Sequence, residues 1–382
     1  MAGMLALALC STNMPPQTIF AGEFTSGNPD VVSEEETPEI FTNEEQEAEG
    51  ETDEELSVFS SEEVPEFNDA PDEAMAAAEN EQAGEIDLAD NDKVINGVYT
   101  IRSAGDHKFT CSRETGNRIV VDGGNTSEQD NINIYLNKVN INTSTGPALR
   151  INVNVKATVT IYLTGTNNLI AKNTWYAGLQ KDNFDGSLII TKDPDATAGI
   201  LNAHGSSDGD GAGIGGSNIT INSCSVIASS KYGAGIGGNK QGAGSNITIN
   251  SASVTASSTN GAGIGGGKGG AGSNNITING GSVKASSVSG SPTNGGKEVY
   301  CCTIENPENA NVTIKTGTGS SVNWKPVNHS SLDPDDTNLY VWLPKLESNS
   351  TNSYLIILDP ENSSESRTRN YSFDTVTNTF KA

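Results

Sequence analysis

The 382-residue chain has a formal net charge of −26 at neutral pH, yet that charge is confined to one end. Residues 1–92 hold 26 Asp and Glu with no Lys or Arg, so residues 93–382 balance 22 acidic against 22 basic side chains. A neutral body with an acidic tail lacks the basic footprint that phosphate neutralisation needs, which argues against nucleic acid as a partner and against anionic membrane surfaces.

The opening "MAGMLALALC" is an apolar run too short to cross a bilayer, and it is followed by "STNMPPQTIFAGE", a polar stretch with a small residue at Ala21. The pattern predicts a secretory signal peptide over residues 1–21 and an extracellular protein, secreted or held at the cell surface. No Lys or Arg precedes the apolar run, which departs from the usual pattern, and Cys10 leaves a lipid anchor open. No later segment is apolar for long enough to predict a transmembrane span. Residues 22–92, with "SEEETPE" and "NEEQEAEGETDEE", bury too little apolar surface to offset chain entropy and read as a disordered acidic linker.

The body is built differently. "GAGIGG" begins at residues 211, 233 and 261, and each copy leads into "NITIN" or "NNITIN" and then a Ser-Val segment. The offsets, 233 − 211 = 22 and 261 − 233 = 28, differ only in loop length. Alternating "NITIN" is a half-buried strand, and aligned copies put Ile219, Ile247 and Ile276 in one column and Ile221, Ile249 and Ile278 in the next. Val226, Val254 and Val283 make a third, and Ala228, Ala256 and Ala285 a narrow fourth. Such columns are what a solenoid needs, because one coil has no core until its neighbours supply it. Asn222, Asn250 and Asn279 align at a strand end, where stacked amides form a ladder. The prediction is an all-β, right-handed parallel β-helix over residues 93–297. Its N-terminal cap falls at 93–116, and a C-terminal β-strand region or cap covers 298–382.

Each "GAGIGG" also satisfies the dinucleotide fingerprint G-x-G-x-x-G, which works only between a strand and a helix. Here another strand follows, so the glycines are read as corners, with Ile214, Ile236 and Ile264 pointing inward. Earlier segments such as "QDNINIYLNKVNINTS" and "VTIYLTGTNNLIA" read as weaker coils, and Ala177-Gly178-Leu179 fits the register of Ala212-Gly213-Ile214. In order, "INIYLNKVNI", "GPAL", "VTIYLTGTNNLIA", "GSLIIT", "GILNA" and the Gly-rich repeats resemble secreted carbohydrate-binding-domain β-helix proteins of Gram-positive anaerobic bacteria. That resemblance implies an extracellular, non-catalytic, polysaccharide-binding β-helix, in some members with calcium.

Residues 211–290 contain no Asp, Glu, Arg or His, only Lys231, Lys240, Lys268 and Lys284, so the regular coils hold no acid and base pair. The chain is therefore read as a binding protein and not an enzyme, with a structural or adhesive stalk as the alternative and a polysaccharide lyase or hydrolase as a remote one. Asp182, Asp185, Asp193, Asp195, His204, Asp208 and Asp210 are the acids and bases left for chemistry. Asp208 and Asp210 in "SSDGDGAG" are the candidate calcium ligands, ahead of "DPDD" at 333–336. Counting back from the aligned Ala-Gly-Ile/Leu step puts Trp175, Asp210, Tyr232 and Asn260 at one corner of successive coils, the candidate carbohydrate strip. Cys111, Cys224, Cys301 and Cys302 match no metal or redox spacing, leaving one disulfide or simple burial open. Tyr340 and Trp342 alternate in "LYVWLP" and are expected to face a local core.

Overall fold

The computed structural model describes residues 84–382 apart from 124–126, 183–184, 273, 309, 318, 321, 323, 325–334, 347–352 and 360–365. The expected signal peptide and most of the acidic linker lie outside the described residues, as does Asp333 of the "DPDD" candidate.

Three parallel sheets run the length of a solenoid, and the chain visits them in fixed order, coil after coil. Sheet 1 includes Asn131–Asn137, Leu188–Lys192, Ile219–Asn222, Ile247–Asn250 and Ile276–Ile278. Sheet 2 includes Gly199–His204, Ser225–Ser230, Ala252–Ser258 and Gly281–Ala285. The 7-stranded sheet 3 ends in Leu179–Lys181, Ile214–Gly215, Ile236–Gly237 and Ile264–Gly265. One long strand, Thr158–Ala171, serves sheet 1 with its first half and sheet 2 with its second. At its bend the buried Asn167 accepts from the Val139 N–H at 2.8 Å, so a polar residue inside the core has a partner.

Alternation decides which side chains enter. Ile132, Val159, Leu188, Ile219, Ile247 and Ile276 are successive partners along sheet 1, and all are buried. Ile134, Ile161, Ile190, Ile221, Ile249 and Ile278 form the next column, equally buried. Sheet 2 supplies Val226, Val254 and Val283 beside Ala228, Ala256 and Ala285, and sheet 3 supplies Ile214, Ile236 and Ile264. The expected columns are therefore the actual core.

Polar ladders run outside these columns. Asn250 Nδ2 donates to Asn222 Oδ1 at 2.9 Å, and Asn279 Nδ2 donates to Asn250 Oδ1 at 2.8 Å. Asn218, Asn246 and Asn275 form a second ladder at 2.7 and 3.0 Å, each at positive φ, which Asn tolerates better than other residues with a side chain.

Both ends differ from the sequence reading. The first strand, Ile86–Asp87, pairs in parallel with Gly105–Thr110 and so lies within the stretch assigned to the linker, before Lys93. Ile86 and Leu88 are buried in the main core with Phe109, and two apolar residues among many acids escaped a composition-based boundary. Shortening the chain to begin at Lys93 should lower stability by about 3 kcal/mol or more relative to a chain beginning at Gly84, because the burial of Ile86 and Leu88 is lost. Equal melting temperatures for the two would show that this strand adds nothing.

At the far end Asn338–Pro344 pairs antiparallel with Lys297–Glu305 and lies against the last sheet 2 strand. The Trp342 indole N–H donates to the Val283 carbonyl at 2.9 Å, and the Tyr340 N–H donates to Ser282 Oγ at 3.0 Å. Trp342 belongs to the solenoid core, whereas Leu339, Val341 and Leu343 face a second core with Ile304, Ile356 and Leu358. The expectation of a purely local core for Trp342 is thus corrected: its ring covers the exposed last coil. Cys111, Cys224, Cys301 and Cys302, the cysteines among the described residues, form no disulfide with one another, so the disulfide reading is not met; Cys224 and Cys302 are buried small residues. Burial pushes the Cys224 thiol up to about 12.

Candidate functional site

The register of sheet 3 fixes one corner of the solenoid. Leu179, Ile214, Ile236 and Ile264 are mutual partners, so the residues four places earlier, Trp175, Asp210, Tyr232 and Asn260, fall at equivalent positions of successive coils. Backbone bonds between coils agree with that alignment. The Asp210 N–H donates to the Thr174 carbonyl at 2.5 Å, the Tyr232 N–H to Gly209 at 3.3 Å, and the Asn260 N–H to Lys231 at 2.9 Å. Trp175 and Tyr232, two coils apart, stand roughly 10 Å from each other along the axis.

Trp175 is 68% exposed, although an indole ordinarily buries most of its surface. Its backbone N–H is held by Asn173 Oδ1 at 3.1 Å in a local turn. A large apolar ring is therefore presented to solvent by an ordered corner.

Tyr232 has company that the sequence did not announce. The ammonium groups of Lys231, Lys240 and Lys268 lie 5.3, 5.6 and 5.2 Å from its ring centroid. Lys240 and Lys268 come from the extra residues of the longer coils. The Lys240 N–H donates to the Asp210 carbonyl at 2.8 Å, and the Lys268 N–H donates to the Tyr232 carbonyl at 2.7 Å, which folds both loops back onto the corner. The offset of 28 between Lys240 and Lys268 equals the repeat, and that was the available signal. Each cation–π contact at an exposed site is worth roughly 0.5–1 kcal/mol.

The candidate calcium ligands are engaged with these lysines. Asp208 pairs with Lys231 at 3.0 Å and Asp210 with Lys240 at 3.1 Å, and the Asp208 carboxylate holds the Lys231 ammonium above the ordinary lysine range. The two carboxylates thus turn to different cations, and no group of three or more metal-ligating side chains occurs among the described residues. In the C-terminal candidate, Asp336 is bound to Lys284 at 2.6 Å and to the Tyr340 hydroxyl at 2.9 Å, and these bonds hold its carboxyl below the usual range against the opposing effect of burial.

The other acids and bases are dispersed over different corners. Asp182, at the end of a sheet 3 strand, pairs with Arg150 at 2.7 Å and accepts from Gln180 at 2.8 Å. Neighbouring Lys181 is buried, and desolvation pulls its ammonium down to about 8 against the pull of Asp185 and Asp182. Asp193 closes a turn after sheet 1 by accepting from the Asp195 N–H at 3.0 Å. His204, at the end of a sheet 2 strand, meets Ser229 Oγ at 2.6 Å, and burial lowers its pKa.

A second aromatic pair, absent from the sequence reading, lies on sheet 1. Tyr135 and Tyr162 occupy the repeated string "IYL", are register partners, and stack at 4.7 Å with 13° between the rings. Lys108 sits 5.5 Å from the Tyr135 centroid. These rings spend their facing surfaces on each other, and among the described residues the large exposed aromatic ring is that of Trp175.

Residues 219–240, 247–268 and 276–295 match the family model described as a beta helix repeat. Each match runs from a sheet 1 strand through sheet 2 and, in the first two repeats, past the corner into the lysine-bearing loop. No curated protein and no solved structure matches the chain. Fold and repeat together make this a parallel β-helix protein.

Proposed function

We propose that this β-helix binds a polysaccharide without cleaving it, outside the cell or at its surface, along the corner of Trp175, Asp210, Tyr232 and Asn260. The exposed indole of Trp175, in register with Tyr232 two coils on, is the observation that carries the reading. A sugar ring stacks its apolar face on an aromatic platform, and neighbouring amide and carboxylate groups take its hydroxyls. Asp210 and Asn260 alternate with the two rings along the strip. A non-catalytic role is supported by the pairing of Asp208 and Asp210 with lysines, so that among the described residues the carboxylates beside the strip are both engaged by cations.

Trp175→Ala should weaken binding about tenfold, equivalent to about 1.4 kcal/mol, while the melting temperature stays put because the ring is already in water. Affinity electrophoresis through gels holding neutral and acidic polysaccharides measures the first, and thermal unfolding the second. Retardation unchanged by the substitution would remove the strip as the binding site.

A further inference from the structure

Three ammonium groups surround one phenol ring at this corner, and two of them have carboxylates. Lys231 pairs with Asp208 and Lys240 with Asp210, whereas Lys268 has no carboxylate within ion-pair distance among the described residues. Its place is nonetheless set by the fold: its N–H donates to the Tyr232 carbonyl at 2.7 Å and its carbonyl accepts from the Gln241 N–H at 2.9 Å. The loop thus brings a third cation to a ring that already faces two. Three lysines against two aspartates leave one positive charge at the corner, on a body whose total charge from residue 93 onward is zero.

That excess charge has a direction. Asp208 and Asp210 are already engaged by Lys231 and Lys240, so the excess cation is the one carried by Lys268. An ammonium carries three donors, and a contact with a ring face satisfies the charge in part but accepts no full hydrogen bond. The Lys268 ammonium, exposed beside the Tyr232 ring, is placed to receive an oxyanion arriving there.

We infer that the polysaccharide held by this strip is acidic, with a carboxylate or sulfate group received by Lys268 beside the Tyr232 ring. This rests on the polysaccharide reading and adds the chemical class of ligand to it. It also separates the local charge of the site from the neutrality of the whole body, since binding steered by one exposed cation is sensitive to salt whereas stacking alone is not.

The test uses the full chain and two pairs of polymers that differ in charge: polygalacturonate with its fully methyl-esterified form, and dextran sulfate with dextran. At low ionic strength the acidic member of at least one pair should bind about fivefold more tightly than its neutral counterpart, and the preference should fade as salt rises through the range where the screening length drops below about 10 Å. Which pair responds identifies carboxylate or sulfate. Lys268→Gln should abolish the preference, and Lys268→Arg should keep it. No preference in either pair, or a preference that survives in Lys268→Gln, overturns the inference. Neutral binding that still depends on Trp175 would then leave the polysaccharide reading standing, whereas failure of all four polymers to bind would overturn both.

Discussion

Gly235→Ala should cost about 3 kcal/mol, far more than adding one methyl group to a surface corner normally does. A Cβ built at Gly235 lies 2.7 Å from the Gly263 carbonyl oxygen and 2.7 Å from the Ser257 nitrogen, both backbone atoms of the next coil, and 3.0 Å from the Ala228 carbonyl oxygen. Side chains can swing away from such a contact, but backbone in a hydrogen-bonded ladder cannot without opening the coil. Gly213 and Gly263 face the same crowding from their neighbours. Ala148 holds the equivalent place one coil before Gly178, so the requirement belongs to these particular corners and not to the fold at large. Thermal unfolding of Gly235→Ala measures the cost, and a melting temperature within a degree of the parent would mean that the coils separate easily at this corner.

The same corner explains why the string "GAGIGG" was readable as architecture. Its middle glycine lets two backbones approach, its isoleucine enters the core, and its spacing repeats, all of which follow from side-chain size and alternation. Trp175, Asp210, Tyr232 and Asn260 were placed on one corner by the same counting, since register in a solenoid is arithmetic once one column is known. The lysines around Tyr232 were legible only as a spacing equal to the repeat, not as neighbours of that ring. Lys268 follows Tyr232 by 36 residues, and only the folding back of a loop, through the bond from its N–H to the Tyr232 carbonyl, brings its ammonium to that ring. Net charge hid them further, because a total of zero over residues 93–382 says nothing about where 22 positive side chains gather. The ends were misjudged for a related reason: Ile86, Leu88 and Trp342 matter through what they cover, and the uncovered surface belongs to the coils beside them.

A sharper test of register comes from two neighbouring residues. Ile249→Asp should destabilise the solenoid by about 4 kcal/mol or more, while Thr248→Asp should change stability by less than about 1 kcal/mol. Ile249 is fully buried between Ile221 and Ile278, so an aspartate there either carries an unpaired charge or stays protonated with no partner for its polar atoms. Thr248, one residue earlier, points outward between Thr220 and Thr277, where a carboxylate remains hydrated. A strand slipped by one residue would exchange the two outcomes, because alternation moves every side chain to the other face. Coils depend on their nearest neighbours for a core, so the damage from Ile249→Asp should spread. Hydrogen exchange should show lost protection in Ile219–Asn222 and Ile276–Ile278 together with Ile247–Asn250, and loss confined to the mutated strand would contradict the coupling between coils.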